Sequence, residues 1–457
     1  MRPRDAVRDP AARLRTGARG LAVFVTAVSA AGLQLTGAQP AGAATTSTAE
    51  PQAPAEPRAL AEGPIFNDPL GGTTEQYAIR TRLVHLTDSA LPGSTIKVAV
   101  YHVWETTVVD ALLRARARGV NVQVLLDESS VSDNPTNPSY ATLKAALGSD
   151  RTKPSFALLC PAGKSCLGDP QFGKSIMHNK FWLFSAVEGG RNVVVQTTTN
   201  STPSANTKFF NDALQLPDNS ALYGAYSAYF AEMTRKDWAA WRYRTVTDYP
   251  YKAYYFPRAG TTVETDTVHS ILNNVTCTYK DSAGVTQRTR VRVAVFKLTR
   301  QVIADKLVAL RKAGCSVYVT YAETDSAASQ GGVKGTWEAL HTSGGPSLRC
   351  YNDDRDPQNP GERLVTPYLV HNKYLLIDGV YVGKRNKVSF TGSGNHTAPA
   401  LRENDEAMVK VDDDSVHDAY RSHFDRLRSV AWPGVDDSTD LCKGVRSLPQ
   451  DGERRFA

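Results

Sequence analysis

The sequence predicts an α/β protein assembled from two similar halves. Two observations carry that expectation: a strand–helix–strand pattern that recurs about 195 residues along the chain, and a set of polar residues that recurs with it in the same order. The first copy runs from Ile96-Lys-Val-Ala-Val-Tyr101 to Arg118-Gly119-Val120-Asn-Val-Gln-Val124, and the second from Arg292-Val-Ala-Val-Phe296 to Ala313-Gly314-Cys315-Ser-Val-Tyr-Val319. The spacing from Ala99 to Gly119 equals that from Ala294 to Gly314. Val98 and Val100 alternate with polar or small neighbours, as a strand requires. Val108, Ala111, Leu112 and Ala115 fall at helical spacing, as do Ile303, Leu307 and Leu310, and each helix ends at a glycine before the next alternating run. A unit of this length forms a right-handed parallel crossover.

Composition and charge set the outer bounds. The chain has 457 residues, 41% hydrophobic and 22% charged, which excludes disordered, collagenous and multi-span membrane classes. The net charge of +7 suggests a polyanionic partner until it is localised. Residues 1–43 hold Arg2, Arg4, Arg8, Arg13, Arg15 and Arg19 against Asp5 and Asp9, followed by an apolar run from Leu21 to Leu33 and Ala41-Gly42-Ala43. Basic region, short apolar region and small-x-small site together read as a secretory signal peptide cleaved near Ala43, the run being too short to span a bilayer. Its loss leaves 47 basic and 44 acidic residues, a net +3, and no long basic run. The secreted chain is expected to be monomeric.

Residues 44–62 open on an Ala/Thr/Pro-rich stretch without apolar period and read as a disordered linker. An N-terminal half over 63–248, an aromatic connector over 249–257 (Tyr249-Pro-Tyr251-Lys-Ala-Tyr254-Tyr255-Phe256-Pro257) and a C-terminal half over 258–457 follow. The six cysteines, read in an oxidising compartment, favour disulfides. Fifteen pairings are possible, and Cys160 with Cys166 across a short turn is the best local candidate. No paired Cys/His spacing supports zinc.

The recurring polar residues carry the chemistry. Ser175-Ile-Met-His178-Asn179-Lys180-Phe matches Tyr368-Leu-Val-His371-Asn372-Lys373-Tyr; Thr197-Thr198-Thr-Asn200 matches Gly392-Ser393-Gly394-Asn395; Asn211-Asp212-Ala213 matches Asn404-Asp405-Glu406. On a strand, residues i and i+2 share a face, so His178 projects with Lys180 and His371 with Lys373, while Phe181 and Tyr374 point away. If the halves pair face to face, two imidazoles, two ammonium groups and two carboxamides converge. That set suits a phosphodiester: one His attacks phosphorus, the other protonates the leaving oxygen, and the lysines and asparagines hold the non-bridging oxygens. Neighbouring lysines repel a divalent cation, so neither metal nor cofactor is expected.

His371-x-Lys373-x-x-x-x-Asp378 followed by Gly392-Ser393-x-Asn395 is a complete HKD signature, and over roughly residues 63–432 the chain resembles the phospholipase D superfamily. The resemblance implies two α/β halves of β-sheets flanked by helices, a pseudo-dimer with one active site at the interface, and a covalent phosphohistidine with the N-terminal His178 as nucleophile and His371 as acid. It makes His178, Lys180, His371, Lys373 and Asp378 the catalytic candidates, and Asn200, Thr198, Ser393, Asn395, Asp212 and Glu406 the phosphate-binding or orienting ones.

The first half departs from the signature. Ser185 stands where Asp is expected, Thr197-Thr198 replaces Gly-Ser, and Ala213 lies opposite Glu406 in the matched segments. A nucleophilic imidazole needs an acceptor on its other nitrogen, and Asp212 is the nearest substitute. The expected activity is hydrolysis of a phospholipid headgroup ester at a lipid or membrane surface. A secreted metal-independent endonuclease acting on nucleic acid is the first alternative, with the arginines of Arg114-Ala-Arg116-Ala-Arg118 as backbone contacts. A catalytically weakened phosphate-binding protein is the second. Trp182 and the aromatic connector are candidates for a lipid–water interface, with packing between halves the competing use. His102 and its repeat partner Lys297 sit at strand ends that can face the site, and His396 is a candidate for its rim.

Overall fold

Alternating burial builds the two central parallel pairs. Val98 and Val100 face one side of the strand Thr95–Val100 and Ala99 the other, and Asn121–Leu126 repeats the pattern in parallel register beside it. The intervening helix Thr106–Ala117 buries Val108, Val109, Ala111, Leu112 and Ala115 against this sheet and leaves Arg114 and Arg116 in its last turn, the end at which the helix dipole favours cations. Gly119 then takes φ +88°, a turn that side chains with a Cβ resist. The second half repeats each step. Arg290–Leu298 and Ser316–Thr324 pair in parallel, the helix Gln301–Lys312 crosses between them, and Gly314 turns at φ +97°.

The computed structural model describes residues 59–172, 174–356, 359, 361–433 and 441–444. The expected leader 1–43 and the expected linker 44–62, up to residue 58, lie outside the described residues. Within them the first sheet has seven strands, in the order Gly63–Phe66, Asp212–Leu216, Gly190–Thr197, Lys180–Val187, Thr95–Val100, Asn121–Leu126 and Phe156–Leu159. The second has ten, its centre running Ser347–Cys350, Ser316–Thr324, Arg290–Leu298, Lys373–Tyr381, Lys384–Gly392, Ala407–Val411. In both, three parallel strands continue into an antiparallel meander, and the antiparallel strand beside the central pair begins at the lysine of an H-x-K triplet.

Three apolar clusters organise the layers. One lies under the helix Thr106–Ala117 and another under Gln301–Lys312. The third is shared between the halves, drawing Phe181, Phe210 and Leu214 from the first and Phe296, Tyr374 and Val409 from the second. The long helices Ser220–Arg235 and Asp414–Val430 contribute Tyr226, Tyr229, Tyr420 and Phe424 to it. Phe209–Phe210 also pairs with the end of Arg363–Val370, so a strand of the first half flanks the strand that leads directly into His371 of the second.

Two aromatic features take the packing role. Trp182 is 1% exposed in the cluster beneath the first sheet. In the connector, Tyr251–Tyr255 is a strand of the second sheet between Arg244–Asp248 and Ala407–Val411, with Tyr254, Tyr255 and Phe256 buried and Tyr249 exposed. Disulfides join Cys160 to Cys166, Cys277 to Cys315 and Cys350 to Cys442. Among the described residues no helix is long and apolar enough to cross a membrane.

Candidate active site

The two histidines enter the interface by the same device, each anchored on the opposite half. The His178 amide donates to the Asp405 carbonyl at 3.0 Å, and the His371 amide to the Phe210 carbonyl at 2.9 Å. The side chains cross in the same way. His178 Nδ1 lies 2.8 Å from Glu406 Oε1, and His371 Nδ1 lies 2.8 Å from Asn211 Oδ1. An acceptor on Nδ1 keeps a proton there, so both rings present Nε2 for chemistry, as a lone pair in the neutral ring and as an acid in the imidazolium.

The lysines follow the expected geometry. Lys180 Nζ donates to the His178 carbonyl at 3.0 Å and sits 5.2 Å from the Tyr101 ring centre; Lys373 Nζ donates to the His371 carbonyl and sits 5.4 Å from the Phe296 ring centre. Tyr101 and Phe296 also flank the two imidazoles, at 5.4 Å and 5.2 Å between ring centres. Both ammonium groups are buried. Meanwhile burial pushes the acids of this region toward their protonated forms: Asp212 is raised, Asp405 is raised well above the usual carboxylate range, and Glu406 is pushed up to about 8 although Lys180 and Lys373 pull it back. Positive charge therefore dominates the centre, as an anionic phosphodiester requires.

The loop that delivers His178 is tightly held. The amides of Ile176 and Met177 donate to Asn404 Oδ1 and Asp127 Oδ2 at 3.1 and 2.7 Å, and the Asp405 carboxylate accepts the amides of Cys166 and Leu167. The Cys160–Cys166 bond closes the turn that supplies those last two donors.

Three sequence expectations are corrected. Asp212 does not orient His178. It accepts from Asn372 Nδ2 at 2.7 Å, Thr391 Oγ1 at 2.6 Å and Tyr420 OH at 2.9 Å, so it braces the residue after His371. Glu406 of the opposite half orients His178 instead. Asp378, placed among the catalytic residues, pairs with Arg290 five residues along the strand from Lys373, about 16 Å away at strand rise. Its repeat partner Ser185 accepts the Thr95 amide, a strand-edge role that needs no carboxylate. His396, expected at the rim, is buried, its imidazole pushed down to about 3 by burial beside Arg300.

Among the other candidates, Thr198 Oγ1 donates to Asn211 Oδ1 at 3.0 Å and accepts the Asp212 amide at 2.9 Å, while Ser393 Oγ accepts the Ala407 amide at 3.1 Å. Both hydroxyls thus hold the starts of the strands that directly follow Asn211 and Glu406. Asn200 Oδ1 lies 3.4 Å from the His102 amide, and Asn395 joins Lys373 and Glu406 around a cavity of about 40 Å³, room for one water molecule. His102 makes the local bond to Ser129 Oγ, at 3.1 Å, and stacks on Trp104.

Asn211 was not among the candidate site residues, although a signal for it exists. The separation of 195 residues that relates Ala99 to Ala294 and Asn200 to Asn395 also relates Asn211 to Glu406. The resemblance of Asn211-Asp212 to Asn404-Asp405 masks that register, and the strand pairing restores it: Thr197 faces Ala213 as Gly392 faces Met408.

Comparison with known proteins agrees with this architecture. The family model described as cardiolipin synthase, PLD-like domain, matches residues 83–234 and 284–428, one match in each half. No curated protein sequence matches the chain. Among solved structures, phosphatidylserine synthase from Haemophilus influenzae Rd KW20 is 12% identical with a TM-score of 0.54, over 82% of this chain and 89% of that one. A phospholipase D family member from Salmonella typhimurium is 18% identical with a TM-score of 0.28, over 38% of this chain and 96% of its own. Polyphosphate kinase from Porphyromonas gingivalis is 13% identical with a TM-score of 0.48 over 80% of this chain, which spans half the length of that protein. At these identities the synthase likeness shows the fold alone, and the family match over both halves carries the assignment: the chain belongs to the phospholipase D-like family, with two phosphodiesterase-type domains.

Proposed function

We propose that the protein is a phospholipase D-type hydrolase that releases the headgroup alcohol of a phospholipid through a phosphohistidine on His178. The observation that carries this reading is the unequal crossed pairing, His178 on the Glu406 carboxyl and His371 on the Asn211 carboxamide. Phosphorylation at Nε2 with a proton on Nδ1 leaves the ring cationic, and a carboxylate stabilises that cation more than a carboxamide does. His178 is therefore the better nucleophile. His371, on a neutral acceptor, surrenders an Nε2 proton more readily and suits the acid.

The steps balance without a metal. His178 Nε2 attacks phosphorus, the P–O bond to the alcohol breaks, and His371 gives its Nε2 proton to the departing oxygen. Water then attacks phosphorus, the P–N bond breaks, and His371 takes the water's proton, leaving phosphatidate. Lys180, Lys373, Asn200 and Asn395 are assigned to the non-bridging oxygens.

Export belongs to the same proposal, supported by the leader's pattern and by three disulfides that persist in an oxidising compartment. The near-neutral charge outside the leader favours lipid over nucleic acid. Incubation in EDTA with phosphatidylcholine vesicles and, separately, with plasmid DNA tests the reading. Choline release without nicking is expected. Nicking alone would replace it with the nuclease, and binding without turnover by either would leave the phosphate-binding protein.

A further inference from the structure

A cavity of about 410 Å³ lies at the surface, and none of the H-x-K residues lines it. It forms where the turn after the helix Ser220–Arg235 meets the segment Pro257 to Ala259 and the end of the short helix Ala398–Arg402. Its wall carries three arginines, Arg242, Arg258 and Arg402, against one acid, Asp169, together with the indoles of Trp238 and Trp241.

The guanidiniums are held by neutral groups. Arg402 Nη1 donates to the carbonyls of Arg258 and Ala259 at 3.0 and 3.2 Å, and its Nη2 to Thr265 Oγ1 at 2.9 Å. Arg258 Nη1 donates to Thr267 Oγ1 at 3.1 Å, and its guanidinium carbon lies 4.7 Å from the Tyr243 ring centre. Arg242 Nη1 donates to the carbonyls of Ala239 and Trp241 at 2.8 and 2.6 Å. These contacts orient the three charges without neutralising them. The nearby acids are committed elsewhere: Asp169 accepts the Gln171 amide and side chain, and Asp266 pairs with buried Arg300 at 2.7 Å. Burial lowers the Arg402 guanidinium from its ordinary value, Asp266 opposes that, and the Arg258 charge adds to it. An anion in the cavity would relieve this repulsion, and the forked guanidinium matches phosphate oxygens.

The indoles supply the second half of the argument. Trp241 is buried with its N–H on the Pro257 carbonyl at 2.8 Å, which fixes the turn, whereas Trp238 is 44% exposed beside it. An exposed indole next to arginines suits a lipid–water boundary, with the ring among the headgroups and the cations on their phosphates. A nucleic acid fits less well, because its backbone presents a row of phosphates and this cavity takes one. We propose that the cavity is an accessory site for one phosphate of an anionic phospholipid, and that the protein docks on anionic membranes through it with Trp238 in the interface.

Docking is measured on a His178→Asn protein, so that the lipid stays intact and the result does not depend on the hydrolase reading. Sedimentation compares vesicles of phosphatidylcholine with vesicles that also contain phosphatidylglycerol. Preference for the anionic vesicles is expected, falling as salt rises, with a blue shift of tryptophan emission that Trp238→Phe abolishes. An arginine near an anionic surface is worth about 5-fold in binding, so Arg242→Gln should weaken partition about 5-fold and Arg242→Gln with Arg258→Gln about 25-fold. Arg242 and Trp238 are exposed, so their single variants keep the fold and give the readout even if the double variant does not. Equal partition onto both kinds of vesicle, or a preference that Arg242→Gln and Trp238→Phe both leave unchanged, would overturn the proposal. So would an emission shift with inorganic phosphate or with a single-stranded oligonucleotide but none with anionic vesicles. The first would leave a site for the free ion, the second a nucleic-acid site.

Discussion

Replacing Glu406 by glutamine separates what the carboxyl does for the fold from what it does for the reaction. Glutamine keeps an oxygen that can accept from His178 Nδ1 and occupies the same volume, but carries no charge. The group is fully buried, and its folded value of about 8 stands against 4.5 for the ordinary carboxyl. Below 4.5 it is protonated in both states and its contribution is fully present. As pH rises from there the unfolded chain ionises first, so stability falls until the folded protein ionises near 8. At 1.36 kcal/mol per unit the loss is on the order of 5 kcal/mol. Glu406→Gln should therefore match the parent at pH 4 to 5 and exceed it by a few kcal/mol at pH 9, read from urea unfolding at each pH. Catalysis should move the other way. The ionised pair is the nucleophilic form, so the parent's rate should rise toward pH 8. Exchanging a charge-assisted hydrogen bond for a neutral one costs roughly 1–2 kcal/mol, about 10-fold in phosphohistidine formation. Parallel stability curves between pH 5 and 9, or an undiminished rate in the variant, would refute the reasoning.

Asp378→Asn should leave turnover within about twofold and change stability by less than about 1 kcal/mol, because it loses only a half-exposed pair with Arg290; steady-state assay and thermal melting check both. Asp212→Ala strands the donors of Asn372, Thr391 and Tyr420 in the core and should cost about 3–5 kcal/mol in denaturant unfolding. Serine at both Cys277 and Cys315 opens a loop of 38 residues and should cost up to about 4 kcal/mol in the same assay without changing the Michaelis constant for vesicles.

How much of this was legible beforehand depended on what each residue does. The two sheets announced themselves because apolar alternation, helical spacing and the terminal glycines Gly119 and Gly314 all agree locally. His178, Lys180, His371 and Lys373 were legible because the same H-x-K triplet recurs at matching places in the repeat, just where a strand begins. Their orienting partners were not, because both lie on the opposite half. A histidine and an acceptor 228 residues apart, as His178 and Glu406 are, share no local pattern. Asp378 misled for the converse reason: it sits at a fixed spacing within one strand, and five residues of strand carry it away from the chemistry. Similar letters also drew Asn211 into the wrong register, where the period of the repeat held the answer.

The central claim is that His178, held by Glu406, is the nucleophile. A p-nitrophenyl phosphodiester departs without help from an acid, so His371→Ala should still form the adduct while losing the base that resolves it. Mixing that variant with a p-nitrophenyl ester of phosphatidic acid, quenching in alkali and sequencing the peptides by mass spectrometry should find the phosphatidyl group on His178, with a burst of nitrophenol near one per chain. His178→Ala should give neither burst nor adduct. An adduct on His371 in the His178→Ala protein would contradict the account.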